Sequence, residues 1–223
     1  MGLIREYFLK NADQNNLNSI SYKLRNNRKI LFLEFISKIK RPVKILDLGG
    51  SEYFWRNLNL INLDDIQILL VNTEYQDVEN ISNINFINKD VRDLSEYSDK
   101  EFDVVHSNSL IEHLSTFDEQ KKLADEIQRI GRHYFIQTPN YYFPVEPHFL
   151  YPFFQFFSLK KKTELIQNKD LGWYMKQENM DDAEALAASI RLMKKSELKN
   201  IFKNPKIHSE KYFLFTKSFI VYN

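Results

Sequence analysis

The sequence predicts an α/β fold built on a parallel, doubly wound sheet. A short apolar run at 43–48 lies between Pro42 and the glycine pair Gly49 and Gly50, as expected for a strand that is buried on both faces. The chain has only five glycines, and two of them are adjacent where this strand ends, which indicates that glycine is required there. Further apolar runs alternate with segments of helical spacing, which is typical of parallel strands joined by right-handed crossovers.

The first half of the chain supplies an N-terminal helical segment and four strands. Residues 1–18 are polar and rich in asparagine, whereas 19–40 have the apolar spacing of an amphipathic helix. Residues 1–40 are therefore expected to form a helical segment that packs on the sheet. Beyond the first strand, apolar runs predict strands at 66–71, 84–87 and 102–106.

The second half supplies further helices, a fifth strand and a closing hairpin. Helices are predicted at 118–130, 183–190 and 196–202, and strands at 133–137, 213–215 and 218–222. Asp118 and Gly131 are the expected caps of the first of these helices, and Ser196 begins the last. The final two strands are expected to pair as a hairpin.

The segment after the fifth strand is rich in aromatic residues and proline. Residues 141–157 hold nine aromatic residues, and four of the six prolines lie between 139 and 152. Because proline interrupts helices, this segment is not an ordinary crossover helix. We expect residues 141–180 to form an aromatic insertion or lid over the sheet edge, which serves as a substrate wall or as a packing surface.

Composition limits the classes of function. The 223 residues suffice for one domain with a sizeable core, so 1–223 is expected to be a single domain. The 31 Lys and Arg against 30 Asp and Glu give a net charge of +1, which disfavours a nucleic-acid substrate. The absence of cysteine excludes disulfides and thiolate sites. Without a signal pattern or an apolar stretch of about 20 residues, we expect a cytoplasmic protein with no membrane span.

Polar clusters follow four of the predicted strands: DLGG at 47–50, NTE at 72–74, NKDV at 88–91 and SNS at 107–109. Ligands of open α/β sheets bind at the carboxyl ends of the strands, so these clusters describe one crevice. Glu74 follows the glycine pair at roughly the 20-residue spacing of an acid that binds ribose hydroxyls, with Asn72 as the alternative. Asp90 is suited to accept from an adenine amine while the Val91 amide donates to the ring. The crevice is thus predicted to hold an adenosine.

Three blocks of the chain resemble class I S-adenosylmethionine-dependent methyltransferases of the small-molecule, type 11-like kind. They are VKILDLGG at 43–50, DVRDL at 90–94 and FDVVHSNSLIEHL at 102–114, and the resemblance covers about 43–139. Ser51, Glu52 and Tyr53 stand where the usual motif has further alternating glycines. The runs GGSEYFW at 49–55 and QTPNYYFPVEPHF at 137–149 look like a bacterial branch associated with surface-glycan biosynthesis.

The resemblance implies a Rossmann-like sheet of seven strands, mostly parallel with an antiparallel last strand, and S-adenosylmethionine as cofactor, released as S-adenosylhomocysteine. It implies that Asp47, Gly49 and Gly50 face the methionine end of this cofactor, with Ser51 in the same loop, and that Asn108 lies near the sulfonium. Glu74 is assigned to the ribose, and Asp90 and Val91 to the adenine.

Histidines are the candidate bases for a hydroxyl acceptor. His148 follows Glu146, and a carboxylate orients an imidazole and raises its basicity. We therefore predict His148 as the base with Glu146 as its partner, and His113 as a second candidate. The alternatives are a His148 that anchors the aromatic loop and a His113 that packs at a helix start. His106 and His133 lie within strand patterns and are expected to be packed.

The predicted function is O-methylation of a small molecule or a cell-surface glycan precursor by a monomer or homodimer. Methylation of a nucleic acid or protein stays open, as does a non-catalytic partner protein that retains the fold. Glu112 and His113 alone are weak evidence for a metal, so no metal is predicted. Lys160, Lys161 and Lys162 are expected at a solvated helix or loop end, or to gather an anionic acceptor such as a phosphorylated or nucleotide-linked sugar.

Overall fold

The computed structural model describes residues 9–10 and 19–223. Its strands are β1 (Val43–Leu48), β2 (Ile66–Asn72), β3 (Ile84–Asn88), β4 (Phe102–Asn108), β5 (Gly131–Pro139), β6 (Val145–Glu146), β7 (Tyr151–Pro152), β8 (Lys206–Tyr212) and β9 (Phe215–Tyr222). Its helices are α1 (Ile20–Ile36), α2 (Glu52–Asn57), α3 (Phe117–Ile130), α4 (Leu159–Asn168), α5 (Met180–Ala188) and α6 (Lys195–Ile201), with 3-10 turns at Ile111–His113 and Phe154–Phe156.

Seven strands form one sheet in the order β3-β2-β1-β4-β5-β9-β8. The pairs among β1 to β5 are parallel, whereas β9 runs antiparallel to both of its neighbours. The predicted Rossmann-like fold with an antiparallel last strand is therefore confirmed. The strand order reverses between β1 and β4, and at such a switch point the carboxyl ends of the strands open into a crevice.

Apolar layers cover both faces of the sheet. One layer joins buried residues of α3 and α6 to the sheet, for example Leu123, Ile127 and Leu198. The other joins α1 and α2 to the opposite face, for example through Phe32 and Trp55. Helices on both faces explain why β1, β2 and β4 are continuous apolar runs rather than alternating ones.

The start of α3 differs from the sequence-based expectation. Thr116, not Asp118, is the N-cap, because the Thr116 hydroxyl accepts from the Glu119 N–H at 3.2 Å and the Glu119 carboxylate accepts from the Thr116 N–H at 3.1 Å. This reciprocal capping box satisfies two free N–H groups at once. Gly131 does follow the helix, but with φ of −98° it leads directly into β5, two residues before the predicted strand start.

The predicted strand at 213–215 was wrong, because Phe213 and Leu214 form the turn between β8 and β9. Leu214 is 96% exposed, and Phe213 has a φ of +50°, in the left-handed region that tight turns require. The strand β8 precedes this turn and carries several charged residues, so its sequence lacks an apolar signal. The apolar residues at the hairpin turn were therefore mistaken for the strand β8, which lies just before them in the chain.

The aromatic insertion after strand β5 has secondary structure and a core of its own. It contains the small β6–β7 pair, a 3-10 turn and α4. Phe149, Phe154, Leu165 and Ile166 form a separate apolar cluster with residues of α5. Four of the nine aromatic residues at 141–157 belong to this cluster, whereas Tyr142, Phe153 and Phe156 are exposed. The role of 141–180 as a lid stays a prediction. No helix in the described part of the chain is long and apolar enough to cross a membrane.

Candidate active site

The two glycines after β1 shape the floor of the crevice. Gly49 has a φ of +71°, and its N–H donates to the Val71 carbonyl at 2.8 Å, which closes the loop against β2. A Cβ on Gly50 would lie 1.7 Å from Oδ2 of Asp47. Glycine is therefore required at Gly49 by the backbone conformation and at Gly50 by the carboxylate packed against it.

Asp47 lies beneath this loop rather than in the wall of the crevice. Its side chain is fully buried, with Oδ1 2.7 Å from Nδ1 of His106 and Oδ2 accepting from Nε1 of Trp55 at 2.8 Å. A buried carboxylate needs such partners, which leaves both oxygens occupied within the protein. Asp47 therefore supports the loop from within the protein, and its contact with the methionine end stays a prediction. His106 is buried, as predicted.

Ser51 and Glu52, which replace the usual glycines, start a helix. Ser51 has an extended backbone and is the N-cap residue of α2, although its side chain makes no capping hydrogen bond. Glu52 accepts from Nε of Arg56 one turn later, at 2.6 Å. The chain therefore turns into α2 directly after Gly50.

At the end of β2, Asn72 and Glu74 have different environments. The Asn72 amide donates to the Gly50 carbonyl at 3.0 Å, and its oxygen accepts from the Glu74 N–H at 3.0 Å. Asn72 thus connects the glycine loop to the segment that follows β2. The side chain of Glu74 is exposed, which favours Glu74 over Asn72 as the ribose contact.

At the end of β3, Asp90 is held in its charged form. Its Oδ1 accepts from the backbone N–H and from Nε of Arg92, at 2.9 and 3.1 Å. The backbone hydrogen bond contributes most to lowering the pKa of the Asp90 carboxyl. An ionised carboxylate retains acceptor capacity for an exocyclic amine. The neighbouring Val91 side chain is buried in the core below.

At the end of β4, Asn108 contacts a residue that the sequence analysis missed. Its side-chain oxygen accepts from Nη1 of Arg28, a buried residue of α1 that also donates to Gln137 at 3.1 Å. Two further Arg28 nitrogens bond the buried Glu210 of β8, at 3.1 and 2.7 Å. The sequence did contain a sign that Arg28 is buried, because Arg28 follows Leu24 by one helical turn and so lies on the apolar face of α1. The Asn108 amide nitrogen, rather than its oxygen, is left for a ligand.

The predicted pair of His148 and Glu146 does come together. Glu146 is buried, and its Oε1 lies 2.7 Å from Nδ1 of His148. Its Oε2 accepts from the N–H groups of His148 and Phe149, at 2.8 and 2.7 Å. Because a carboxylate only accepts, Nδ1 carries the proton and Nε2 is left with a lone pair. Burial alone would lower the pKa of His148, but the hydrogen bond and charge of Glu146 outweigh it and raise the pKa.

The 3-10 turn after β4 brings two more titratable residues to His148. The rings of His113 and His148 are 4.9 Å apart, and Oε1 of Glu112 lies 4.0 Å from Nε2 of His148. The other oxygen of Glu112 accepts from the Thr138 hydroxyl at 3.0 Å. Burial raises the pKa of Glu112, and burial together with His148 lowers the pKa of His113 to about 4. A histidine with so low a pKa is a weak base, which favours His148 over His113.

A metal ion is the other ligand that this cluster is able to hold. One ligand atom each from Glu112, His113 and His148 can be chosen so that all lie within 4.8 Å of one another. Imidazole and carboxylate ligands suit several divalent transition metals. The absence of a metal therefore stays a prediction from the sequence.

Comparisons with known proteins agree with this geometry. Residues 46–133 match the family described as "Methyltransferase domain", which covers β1 to the start of β5 and so includes the crevice. Two uncharacterized proteins of Mycobacterium tuberculosis are 40% identical to the chain over 57 residues. These 57 residues are 26% of this chain and 20% of each relative, so the match spans about a fifth of the relatives' length.

Solved structures share the fold at low sequence identity. A S-adenosylmethionine-dependent methyltransferase from Aquifex aeolicus is 13% identical, with a TM-score of 0.50 over 98% of this chain and 96% of that one. The N-terminal domain of EvdMO1, crystallised in the presence of S-adenosylhomocysteine and D-fucose, is 16% identical, with a TM-score of 0.52 over 89% of this chain and 80% of that one. Residues 46–133 thus match a methyltransferase domain, in a chain that has the fold of S-adenosylmethionine-dependent methyltransferases.

Proposed function

We propose that this protein is a S-adenosylmethionine-dependent methyltransferase that acts on a hydroxyl group of a small molecule or a cell-surface glycan precursor. The main support is the hydrogen-bonded pair of Glu146 and His148, which contacts Glu112 and His113 in the turn that follows β4. A cofactor in the crevice at the ends of β1 to β4 and an oriented imidazole next to it are the two parts that O-methylation needs. D-fucose in the EvdMO1 structure supports a sugar acceptor by analogy of fold.

In this proposal the cofactor lies along the ends of β1, β2 and β3. Glu74 accepts from the ribose hydroxyls, and Asp90 with the Val91 amide binds the adenine. The loop of Gly49, Gly50 and Ser51 receives the methionine end, while Asp47 supports the loop from below. The amide nitrogen of Asn108 faces the region of the sulfonium.

The chemistry is an in-line displacement at the methyl carbon. The bond between sulfur and the methyl carbon breaks as the acceptor oxygen bonds to that carbon, and S-adenosylhomocysteine leaves. Holding the reactants in line contributes up to about 7–11 kcal/mol. His148 takes the hydroxyl proton at Nε2, while Glu146 keeps Nδ1 protonated and stabilises the charge that forms on the ring.

Calorimetry with S-adenosylhomocysteine tests the cofactor site. We expect the wild-type protein to bind it, and Glu74→Ala to weaken binding by about tenfold, because the ribose loses a charged acceptor. Glu79→Ala is the matched control, since Glu79 is an exposed carboxylate of the same loop.

Each outcome of this titration bears on a different part of the proposal. No binding by the wild-type protein at about 1 mM ligand would exclude the cofactor, and with it the enzyme. Unchanged affinity in Glu74→Ala would move the ribose contact to Asn72. Binding without any transfer in a broad acceptor screen with labelled methyl donor would favour the non-catalytic partner protein.

A further inference from the structure

A cavity of about 240 Å³ lies between the aromatic insertion and the segment 187–197. This volume is just below the about 300 Å³ at which sites for drug-sized ligands begin, so the cavity suits a ligand the size of a single sugar ring. Glu146, the partner of His148, is part of its wall. The cavity is therefore next to the proposed base, because Glu146 both lines the cavity and contacts His148.

One wall of the cavity holds a buried acceptor without a partner. Gln155 is 8% exposed, and its amide nitrogen donates to the carbonyls of Tyr141 and Phe143, at 2.9 and 2.7 Å. Its Oε1 is buried and has no hydrogen-bond partner among the described residues. Leaving a buried acceptor unpaired is costly, so this oxygen is suited to a ligand hydroxyl.

The cavity is lined by three cations, Lys162, Arg191 and Lys194, and each has an aromatic ring as a neighbour. Lys162 Nζ lies 5.7 Å from the centre of the Phe154 ring, and Lys194 Nζ lies 5.1 Å from that of Tyr141. Among the described residues, neither Nζ has a carboxylate within 4.0 Å. Burial lowers the pKa of Lys162 and outweighs the opposing effect of the Glu146 charge.

The carboxylates of the cavity already have partners within the protein. Glu197 accepts from Nη2 of Arg191 at 2.5 Å and from the Lys194 N–H at 2.8 Å. Glu146 uses both oxygens on His148 and on the N–H groups described above. The cavity thus presents Lys162 and Lys194 as cations for a ligand, and a free anion of suitable size would be attracted to them.

We propose that this cavity binds the acceptor through a sugar ring that carries a phosphate or a carboxylate. Lys162 and Lys194 hold the anionic group, Gln155 Oε1 accepts from a ring hydroxyl, and the Tyr141 and Phe154 rings pack against the apolar side of the sugar. The role of the cavity as an acceptor site rests on the proposed methyl transfer. Its role as a sugar-binding site does not depend on that reaction.

Binding of three simple sugars tests this proposal. Glucose 1-phosphate, glucuronate and glucose are titrated into the wild-type protein saturated with S-adenosylhomocysteine, and into the protein alone. We expect at least one of the two anionic sugars to bind at least about tenfold more tightly than glucose, and the stronger one identifies the anion. Lys162→Met and Lys194→Met should each weaken that binding by about tenfold.

Lys160→Met is the matched control for Lys162→Met. Both lysines belong to the same run at the start of α4, but Lys160 is exposed and does not line the cavity. Circular dichroism shows whether each variant is folded, and Lys194 lies on a different segment, so the two substitutions test the cavity independently.

Equal affinity for glucose and both anionic sugars, or an equal loss in Lys160→Met, would overturn the anionic site. The site is also overturned if no sugar binds while S-adenosylhomocysteine does, and in that case the methyltransferase proposal stands. If an anionic sugar binds as expected but S-adenosylhomocysteine does not, the sugar site stands and the methyltransferase proposal fails.

Discussion

Replacing His148 with alanine is expected to lower turnover by at least about tenfold, and by up to about 10⁴-fold, without changing affinity for S-adenosylhomocysteine. A positioned general base contributes about 10²–10⁴-fold, and His148 is the histidine beside the crevice whose pKa is raised rather than lowered. The measurement is single-turnover transfer of a labelled methyl group, together with calorimetry of the product. His208→Ala is the control, because His208 is exposed on β8.

The pH dependence of turnover separates a base from a merely structural histidine. His148 faces Glu146, Glu112 and His113, and the first two raise its pKa above the usual 6.5. Because only the neutral imidazole accepts a proton, the rate should rise with pH through this raised pKa. Glu146→Gln removes a negative charge, so the pKa of His148 falls and the midpoint of the profile should move to lower pH.

A contrary result would return His148 to a structural role. Unchanged turnover in folded His148→Ala would do so directly. A midpoint that stays in place in Glu146→Gln would show that another group titrates. A loss of S-adenosylhomocysteine binding in His148→Ala, equal to the loss in turnover, would place His148 in the cofactor site instead.

Arg28→Met is expected to lower the free energy of unfolding by about 3–5 kcal/mol. Arg28 makes two hydrogen bonds to Glu210, and both side chains are buried. Removing the guanidinium takes two charge-assisted hydrogen bonds from the buried Glu210 carboxylate, which keeps the hydrogen bond from the Ser218 hydroxyl. The measurement is urea unfolding at neutral pH, with Arg56→Ala as a control for an exposed ion pair, which should cost at most about 1 kcal/mol.

The double variant Arg28→Met/Glu210→Met separates the charge from the packing. The two methionines replace the buried ion pair by apolar side chains, so no buried carboxylate loses its partner and most of the lost stability should return. A loss below about 1 kcal/mol in Arg28→Met would show that the pair is not desolvated as the structure indicates. A double variant as unstable as the single one would assign the loss to packing or to the hydrogen bonds that Arg28 donates to Asn108 and Gln137.

Much of the fold was predictable because buried parallel strands leave continuous apolar runs. The strands that contain Leu46, Leu70 and Val105 lie between helices on both faces of the sheet, so each run is apolar throughout. The hairpin was misplaced for the opposite reason, since β8 is polar and the apolar Leu214 is at an exposed turn. Local spacing also did not distinguish Thr116 from Asp118 as a cap, because both residue types serve that role.

The candidate site was predictable where neighbours in sequence form it. His148 and Glu146 are two residues apart, and the hydrogen bond between their side chains was anticipated. Partners that are distant in sequence were not: Arg28 meets Asn108 across 80 residues, and Thr138 meets Glu112 across 26. Such contacts depend on the register of the strands, which periodicity alone does not specify.

The hydrogen bond between Trp55 and Asp47 gives the protein an intrinsic optical probe. Trp55 is fully buried directly under the glycine loop, and the other tryptophan, Trp173, is 57% exposed on the insertion. In Trp173→Phe, the remaining indole emission would come from beneath the cofactor crevice alone. Any ligand that shifts the loop of Gly49 and Gly50 also shifts the carboxylate that holds this indole, so fluorescence can follow the occupancy of the crevice without a label.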